Sequence, residues 1–495
     1  MIDEKDRESI LHDNGNILVT AGAGSGKTTT LTKKIINDLE SNKKHYKIAA
    51  ITFTRKAAKE IKDRLSGKTR GHFIGTNDGF VEQEIIKPFI KDAFGNEYSD
   101  QFEVVYNVDK FDTFKEGLDL IKYKNKLGTY KDNKKNFKFE LALQILLKSR
   151  VAKQYIQARY FKLFIDEYQD CDQDMHKLFM YIKDALGIKL FIVGDPKQSI
   201  YQWRGAKPEL FNDLINDNNN GFSKYELKEN FRCCCDIQNY ANILERHDTR
   251  DYKIVDEVQN VIGIESDINP LDILDLEKEI VILLRVAKTI AKDLENEINK
   301  NGYNFVYVPR TPLDDLGTEN ATILIELAKY VKNSNYTVYD LINCLPVELS
   351  KNEIKTIDQV IYRLRKSDVT EAEIEGSIIE LFNILQIPFR SDDEISKFIE
   401  SILDNQYDNA FNGKEYKHKI MTIHSAKGLE FEQVIIFSDD FKLHWNRDKN
   451  EHYVATTRGK EKLIIILNSE EYIHNLKVVA KKCNFDTIDR IIKII

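Results

Sequence analysis

Apolar positions cluster along the chain in nine short runs rich in β-branched side chains, each followed by a loop containing Gly, Asp or Thr. Within the runs these positions are continuous rather than alternating, which is typical of strands buried on both faces of a parallel sheet. Helical patterns separate the runs, as in residues 54–65 and 287–302. We therefore predict strand–helix units, with strands in residues 16–20, 47–54, 161–167, 189–195, 280–285, 305–308, 419–428, 433–439 and 462–467.

The spacing of the predicted strands divides the chain into two α/β domains. Four strands fall before residue 196 and five after residue 279, and two mostly helical stretches interrupt the pattern as insertions. A chain of 495 residues is long enough for two to four domains. We predict a first domain in residues 1–78 and 158–235, an insertion in 79–157, a second domain in 236–309 and 413–495, and a short insertion in 310–412.

Composition narrows the class of protein. Hydrophobic residues make up 42% and charged residues 31% of the chain, as in globular proteins. We expect neither a membrane span nor a signal peptide, because apolar runs are short and the N-terminus is charged. The six cysteines form no CxxC pair, so we expect a reduced, cytoplasmic protein without a cysteine metal site. A net charge of −7 leaves room for nucleic acid only in a local basic groove.

Residues 21–28 read AGAGSGKT, directly after the first predicted strand and before a helical pattern. This is the context of a phosphate-binding loop, in which glycines let backbone N–H groups converge on phosphates at a helix N-terminus. Lys27 is placed to reach the β- and γ-phosphates, and the Thr28 hydroxyl to bind Mg²⁺. Ala21 occupies the position where the strict motif has glycine, and a residue with negative φ fits there.

Acidic and amide side chains follow two further predicted strands. Asp166 and Glu167 end the segment LFIDE, where Asp166 is a candidate for the Mg²⁺ shell and Glu167 for polarising the attacking water. Packing explains such a pair poorly, because buried carboxylates without partners are costly. Gln198 in GDPKQ is a candidate sensor of the γ-phosphate, and the nearby aromatic residues Tyr201 and Trp203 are candidates for stacking on unpaired bases.

Seven segments taken in order carry a family resemblance: AGAGSGKT, TFTRKAAKEI, IDEYQD, VGDPKQSIYQWRGA, NFR, TIHSAKGLEF and YVATTR. They span residues 16 to 462, and the set resembles the UvrD/Rep-like superfamily 1 DNA helicases. The resemblance implies two RecA-like P-loop NTPase domains that bind ATP and Mg²⁺ between them, with single-stranded DNA across their top. It implies a 3′→5′ polarity as well.

The same resemblance implies roles for individual residues. Arg232 and Arg458 match the arginines that reach the γ-phosphate, Phe231 matches a base-stacking residue, and Glu430 matches a contact to the sugar. The nucleotide would otherwise be held by Ala21, Gly22, Ala23, Gly24, Ser25, Gly26, Lys27, Thr28 and Thr29. Contacts to DNA, or coupling of those contacts to ATP, are implied for Phe53, Arg55, Thr76, Thr422, His424 and Lys427, together with Tyr201 and Trp203.

The chain departs from the family pattern near the base of the nucleotide. Residues 1–80 contain no Gln, whereas the family usually reads adenine with a Gln upstream of the phosphate loop. Thr29 stands where an arginine often packs on the base, and Asp78 stands where a histidine often approaches DNA. The choice of base is therefore less constrained by the sequence than the grip on the triphosphate.

Size, the missing Gln and segments such as FIGTNDGF and IIKPFIKDAFGN together resemble one branch of the family, the helicase-like GajB subunits of bacterial Gabija anti-phage systems. That resemblance implies a hetero-oligomer with a GajA-type ATPase/TOPRIM nuclease, activated by DNA ends or single strands. Two hypotheses remain: a DNA-stimulated ATPase that translocates and unwinds, and a DNA-sensing regulatory subunit without processive unwinding. A third, a phosphate-loop ATPase acting on protein or small molecules, is disfavoured by residues 419–431 and 453–458.

A lysine-rich segment, residues 121–139, interleaves seven lysines with Tyr123, Tyr130 and Phe137. Such a patch is compatible with a phosphate backbone. It is equally compatible with a solvated face, because lysine is frequent throughout the chain.

Overall fold

The computed structural model describes residues 3–42, 44–65, 67–105, 110–202, 205–265, 267–285, 289–316, 320–342, 349–366, 368–387, 389, 393–413, 415–443 and 446–495. The strands are β1 Asn16–Ala21, β2 Lys47–Thr52, β3 Phe73–Thr76, β4 Glu103–Val104, β5 Lys126–Leu127, β6 Tyr160–Ile165, β7 Lys189–Gly194, β8 Phe222–Leu227, β9 Val261–Ile264, β10 Ile280–Leu284, β11 Val306–Tyr307, β12 His418–Thr422, β13 Phe431–Phe437, β14 Gly459–Ile466 and β15 Lys493–Ile494.

The α-helices alternate with these strands over much of the chain. They are α1 Glu4–His12, α2 Lys27–Ser41, α3 Arg55–Arg64, α4 Asn77–Val81, α5 Lys87–Phe94, α6 Phe114–Lys124, α7 Phe137–Lys148, α8 Arg150–Arg159, α9 Gln173–Asp184, α10 Pro208–Asn216, α11 Cys235–Arg246, α12 Thr289–Lys300, α13 Ala321–Lys332, α14 Val338–Ile342, α15 Lys351–Tyr362, α16 Glu371–Ile384, α17 Asp393–Leu403, α18 Asp408–Phe411, α19 Ile423–Ala426, α20 Asn446–Thr456 and α21 Glu470–Lys482. None of the helices in the described part of the chain is long and apolar enough to cross a membrane.

The chain forms two compact units, and the first comprises residues 1–100, 132–285 and 426–495. It contains a six-stranded sheet in the order β3-β2-β6-β7-β1-β8, in which every pair is parallel. It also contains the parallel strands β10-β13-β14-β9-β15 as neighbours. The central strands are buried on both faces; β6, for example, is buried at every residue but one. The prediction of two parallel sheets with intervening helices is confirmed.

The second unit comprises residues 101–131 and 286–425. Its helices α13 to α18 surround an apolar core that includes Leu324, Leu327, Ile378 and Phe398, which are all fully buried. Two short parallel pairs, β4 with β5 and β11 with β12, belong to the same unit. The predicted boundaries of the two insertions do not coincide with the edges of this unit, and the four-part division of the chain stays a prediction.

Some elements differ from the predicted ones for identifiable reasons. The run at 419–428 forms a strand only to Thr422, after which α19 makes one helical turn. Apolar periodicity did not mark β3, β8, β9 and β15, because these are short or have polar positions; β8 reads FSKYEL with only its two end residues buried.

A buried ionic cluster ties helix α2 to strand β6. Asp38 lies between two lysines, 2.7 Å from Lys34 Nζ and 2.7 Å from Lys162 Nζ, and all three side chains are at most 4% exposed. Lys34 Nζ also donates to the carbonyl of Leu11, 2.9 Å away. The cluster fixes the helix that carries the phosphate loop against the sheet.

Candidate nucleotide site and nucleic-acid contacts

The predicted site residues of the first unit gather at one edge of the six-stranded sheet. Strands β6, β7, β1 and β8 are neighbours and parallel, so the segments that follow them meet at their carboxyl ends. These segments are the loop before α2, the acidic pair after β6, the loop after β7 and the turn at residues 229–233. Phe53 follows β2, and Thr76 is the last residue of β3, at the same edge.

The loop after β1 has the geometry of an anion-binding turn. Gly24 and Gly26 have φ of +70° and +78°, which glycine adopts without strain, and α2 begins at Lys27. A Cβ on Gly24 would lie 2.3 Å from Asn230 Oδ1, so this position also requires the absence of a side chain. Ser25 Oγ is buried and has no hydrogen-bond partner in the described part of the chain. Together with the N-terminus of α2, these features fit a polyphosphate.

The acidic pair lies against the loop lysine. Lys27 Nζ is 3.2 Å from Glu167 Oε1. Burial alone would lower the pKa of Lys27, but the charges of Glu167, Asp195 and Asp166 outweigh burial and raise it. Burial and the charge of Glu167 raise the pKa of Asp166, whereas for Glu167 the charges of Lys27 and Lys427 outweigh burial and lower the pKa. The ammonium group of Lys27 therefore favours the ionised form of Glu167.

Gln169 connects the acidic pair to the loop after β7. Its amide nitrogen donates to Glu167, its amide oxygen accepts from the Asp195 N–H at 2.9 Å, and its carbonyl accepts from Ser199 Oγ at 3.1 Å. Asp195 Oδ2 in turn accepts from Gln198 Nε2 at 2.7 Å. A Cβ on Gly194 would lie 2.5 Å from Gln169 Oε1, which explains the glycine at the end of β7. The candidate sensor Gln198 is thus held in a polar network that reaches Glu167.

Lys427 lies inside this network rather than on the surface. Its Nζ donates to Asp170 Oδ2 at 2.7 Å and to the Gln198 carbonyl at 3.1 Å, and it stands 4.5 Å from the centroid of the Tyr201 ring. The side chains of Lys427 and Asp170 are 13% and 2% exposed. One ammonium group therefore connects the acidic segment, the candidate sensor and the aromatic residue predicted to stack on bases.

The two candidate arginines lie in the same compact unit and have different partners. Arg232 Nε donates to Glu430 Oε2 at 2.8 Å, and Arg232 also stands close to the Thr457 carbonyl, 3.4 Å away. Arg458 is 1% exposed and donates to the carbonyls of Val454 and Leu429 at 3.0 and 2.9 Å. Burial, with the neighbouring charge of Arg232, lowers the pKa of Arg458 to about 10, so it stays charged at neutral pH.

Phe231 presents an aromatic ring beside the loop. The ring is 60% exposed, and its backbone N–H donates to the Gly24 carbonyl at 2.9 Å. The guanidinium of Arg7, in helix α1, stands 5.2 Å from the ring centroid. On the other side of the loop, Thr29 Oγ1 accepts from Arg64 Nη1 at 2.8 Å, so an arginine from α3 stands next to the position where the family often carries one.

The predicted DNA contacts divide into three groups. Phe53 and Tyr201 are partly buried, and Thr76 caps helix α4 by accepting the Gly79 N–H at 3.2 Å. Thr422 ends β12 in the second unit, where Ser425 N donates to its hydroxyl at 3.1 Å, and His424 lies in α19. Arg55 begins α3, but its side chain lies outside the described part of the structure, as does all of Trp203.

Asp78 and Lys138 neutralise each other. Lys138 Nζ lies 2.7 Å from Asp78 and 2.6 Å from Glu82, and the lysine is 3% exposed. Lys138, a member of the lysine-rich segment, is thus a buried structural residue and not part of a solvated face. The Asp78 carboxylate, expected to repel phosphates, has a cation within ion-pair distance.

Several residues at the site were not among the residues predicted from the sequence. Tyr453 Oη accepts from the Ala23 N–H at 3.3 Å, and Lys197 Nζ stands 4.5 Å from the Tyr453 ring centroid. Asn450 donates to the Ser199 carbonyl at 2.8 Å. Tyr453 opens the YVATTR segment, so its position in that motif was a usable signal; Asn450 and Arg7 offer none.

The donor set fits a magnesium–nucleotide complex. Thr28 lies in the first turn of α2 and Asp166 follows β6, one hydroxyl and one carboxylate at the same sheet edge. Among the described residues, no group of three or more His, Cys, Asp or Glu side chains is arranged to hold a metal ion alone. A Mg²⁺ ion that keeps waters and binds through one or two protein ligands plus phosphates needs no such group.

Comparisons with known proteins agree with this arrangement. Residues 7–204 match the family model of an AAA domain, and residues 321–470 match that of a UvrD-like helicase C-terminal domain. The chain is 54% identical over 492 residues to the Gabija protein GajB of Bacillus cereus (strain VD045), covering 97% of this chain and 99% of that protein. The chain belongs to the GajB family. Its UvrD-like domains place it among the ATP-dependent superfamily 1 helicases, as predicted.

Two more distant relatives match about half of the chain. DNA helicase II of Escherichia coli (strain K12) is 27% identical over 294 residues, which cover 49% of this chain and 40% of that protein. The ATP-dependent DNA helicase PcrA of Staphylococcus epidermidis (strain ATCC 12228) is also 27% identical over 294 residues, covering 49% and 39%. The chain thus aligns with about two fifths of these helicases and with nearly all of the Gabija protein.

Proposed function

We propose that this GajB-family chain is a DNA-stimulated ATPase that binds single-stranded DNA or DNA ends and couples hydrolysis to translocation and unwinding, 3′→5′ by family. The observation that carries the proposal is the convergence, within one compact unit, of Lys27, Glu167, Gln198, Arg232 and Arg458 around a glycine loop at a sheet edge. These are the parts that hydrolysis of a nucleoside triphosphate requires: a cradle, a base for water, a sensor and two cations.

The residues take the following roles in the proposal. Backbone N–H groups of residues 22–28 bind the phosphates, and Lys27 leaves Glu167 to neutralise the β- and γ-oxygens. Once Lys27 has moved to the phosphates, the Glu167 carboxylate is free to orient the attacking water and accept its proton. Thr28 and Asp166 would hold Mg²⁺, which would neutralise charge on the phosphates. Arg232 exchanges Glu430 for the γ-phosphate, so that nucleotide binding rearranges an existing ion pair.

DNA stimulation follows from the contacts of Lys427. The ammonium group of Lys427 lies beside the Tyr201 ring and donates to the Gln198 carbonyl. A base that stacks on Tyr201 would therefore change the position of Lys427, and with it the position of Gln198. Phe53 and Thr76 are proposed to extend the DNA path within the first unit, and the DNA contacts of Thr422 and His424 in the second unit stay predictions. This arrangement supports hydrolysis that depends on DNA rather than hydrolysis by an isolated nucleotide site.

A second candidate function is a DNA-sensing regulatory subunit that activates a GajA-type ATPase/TOPRIM nuclease in anti-phage defence, without processive unwinding. The 54% identity to a Gabija protein over nearly the full length of both chains favours it, since the identity to DNA helicase II of Escherichia coli is 27% over about two fifths of that protein. Both candidates use the same ATP site.

Two assays on the full chain separate the candidates. Phosphate release is measured with and without single-stranded DNA, and strand separation is measured on overhang duplexes with and without the co-purified nuclease. DNA-stimulated hydrolysis with efficient unwinding by the chain alone supports the motor. DNA-stimulated hydrolysis without unwinding, combined with nuclease activity that requires this chain and ATP, supports the regulatory subunit. Hydrolysis that ignores DNA contradicts both.

A further inference from the structure

An ion pair at the start of the chain stands directly behind the exposed ring of Phe231. Arg7 lies in helix α1 and its guanidinium stands 5.2 Å from the ring centroid. An aromatic ring that is 60% exposed beside a phosphate loop offers a stacking surface for a planar base. What holds that ring in place decides how well it can stack, because a freely rotating ring loses entropy on binding.

The guanidinium of Arg7 is engaged on all sides. Nη2 donates to the Ser25 carbonyl of the phosphate loop at 2.8 Å, and Nη1 donates to Thr30 Oγ1 in the first turn of α2 at 3.2 Å. Nε and Nη2 donate to the two oxygens of Asp3 at 2.8 and 2.9 Å. This bidentate contact fixes the plane of the guanidinium, whereas a lysine at this position has no planar group to fix.

Asp3 extends the connection to the segment that carries Phe231. Its carboxylate is 2% exposed and accepts the N–H groups of Lys228 and Glu229 at 2.8 and 3.1 Å. Burial alone would raise the pKa of Asp3, but the hydrogen bonds from Arg7 and from these two N–H groups outweigh burial and lower it. Three segments therefore meet at one pair: helix α1, the phosphate loop and the turn after β8.

We infer that the Asp3–Arg7 pair is a positioning element for the nucleotide base, which acts by holding the Phe231 ring at a fixed distance from the phosphate loop. Arg7 occupies one face of the ring and leaves the other to the base. The inference rests on the proposed function in one respect, since it requires a nucleoside triphosphate in the loop. It assigns the task of orienting the base to two residues upstream of the phosphate loop that were not among the residues predicted from the sequence.

The test separates an effect on the base from an effect on the phosphates. We compare wild type with Arg7→Met, which keeps an unbranched stem but loses the guanidinium, and measure KM for ATP, kcat and the inhibition constant of inorganic tripolyphosphate. Stacking of a base on an aromatic ring corresponds to roughly a 5- to 150-fold change in affinity, and a ring that is held less firmly loses part of it. We expect Arg7→Met to raise the KM for ATP severalfold with kcat unchanged, and to weaken tripolyphosphate inhibition much less than ATP, although the contacts of Arg7 to Ser25 and Thr30 are lost as well. Weakening of tripolyphosphate to the same extent as ATP would overturn the inference, because Arg7 would then act on the loop.

A double-mutant cycle with Phe231→Ala tests whether Arg7 acts through the ring. If it does, Arg7→Met adds little to the loss already caused by Phe231→Ala. Additive losses would overturn the inference. Arg250→Met is the matched control, because Arg250 is 75% exposed and its ion-pair partner in the described part of the chain is Asp248, two residues away; it should leave every constant unchanged.

Asp3→Asn serves as a second variant in case Arg7→Met is poorly folded. It keeps the size of the side chain but loses the charge, so we expect the KM for ATP to rise, but by less than in Arg7→Met. Arg7→Lys, which keeps a positive charge without the planar guanidinium, should have a KM between those of wild type and Arg7→Met. Unchanged KM in both Arg7→Met and Asp3→Asn would overturn the inference. If wild type hydrolyses ATP but DNA has no effect, the proposed function fails while these comparisons still stand; a wild-type chain that binds no ATP would overturn both.

Discussion

Replacing Lys427 by Met tests whether this lysine is a contact to the DNA backbone or an internal coupling residue. The family resemblance allows both roles. In the structure its ammonium group already has Asp170 and the Gln198 carbonyl as partners, at 2.7 and 3.1 Å, and the side chain is 13% exposed. Two of the three N–H donors of its ammonium group are therefore already used inside the protein.

The two roles differ in a measurable slope. Each phosphate contact to single-stranded DNA contributes about 0.7 to the dependence of log affinity on log salt. Internal pairing predicts that Lys427→Met leaves this slope unchanged, whereas a backbone contact predicts that it falls by about 0.7. Stability gives a second magnitude: removing one partner of a buried ion pair costs about 3–5 kcal/mol, since the Asp170 carboxylate would be left alone.

The assay is DNA affinity by fluorescence anisotropy over a range of salt, with denaturant unfolding of the same samples. We expect Lys427→Met to be strongly destabilised with an unchanged salt slope, to lose DNA stimulation of hydrolysis, and to be partly rescued in stability by adding Asp170→Asn. Lys493→Met is the control, since Lys493 is 43% exposed and its ion-pair partner among the described residues is Glu257 at 3.4 Å. A reduced salt slope with near wild-type stability would refute the coupling role.

Three further predictions follow from the packing. Gly24→Ala should abolish nucleotide binding, because a Cβ at this position would lie 2.3 Å from a neighbouring side-chain oxygen. Gly187→Ala is its control: Gly187 has a φ of +69° but open space around it, so denaturant unfolding should show a loss of only about 1 kcal/mol. Equal losses of stability in the two variants, with ATP binding intact in both, would contradict this prediction. Asp38→Leu should destabilise the fold by about 3–5 kcal/mol because it leaves two buried ammonium groups without their carboxylate, and a loss below about 1 kcal/mol would show that the cluster relaxes. Burial lowers the pKa of His452 to about 3, below its value in the unfolded chain. The unfolded state therefore binds the extra proton first, and the stability of the folded state falls as pH drops from 6.5 toward 3. Between pH 7 and pH 5 the loss from His452 should be about 2 kcal/mol, and a His452→Gln variant that loses as much stability as wild type over that range would contradict the prediction.

Sequence patterns predicted the two parallel sheets because strands buried on both faces appear in the sequence as continuous apolar runs. Every one of the nine apolar runs contains a strand, and the loop, acidic and amide segments fall at strand ends, where parallel topology brings them together. Strand β8 escaped prediction because its middle residues are polar and only partly buried, as an edge strand allows.

The partners of the site residues could not be predicted in the same way, because they depend on contacts between segments far apart in the chain. Lys427 meets Asp170 across 257 positions, and Tyr453 reaches the Ala23 N–H across 430. Asp78 illustrates the consequence: its carboxylate suggested repulsion of phosphates, yet a buried lysine 60 positions away neutralises it. Residue type and spacing indicate which chemistry is available, and only the packed structure shows which groups are already paired.

The central claim, that hydrolysis at this loop depends on DNA, is tested most directly by steady-state phosphate release from ATP with and without single-stranded DNA, in wild type and Lys27→Ala. We predict a several-fold rise in kcat on adding DNA to wild type, and a loss of about 10²-fold or more in Lys27→Ala, which DNA does not restore. A wild-type rate that DNA leaves unchanged, or hydrolysis that persists without Lys27, would contradict the account.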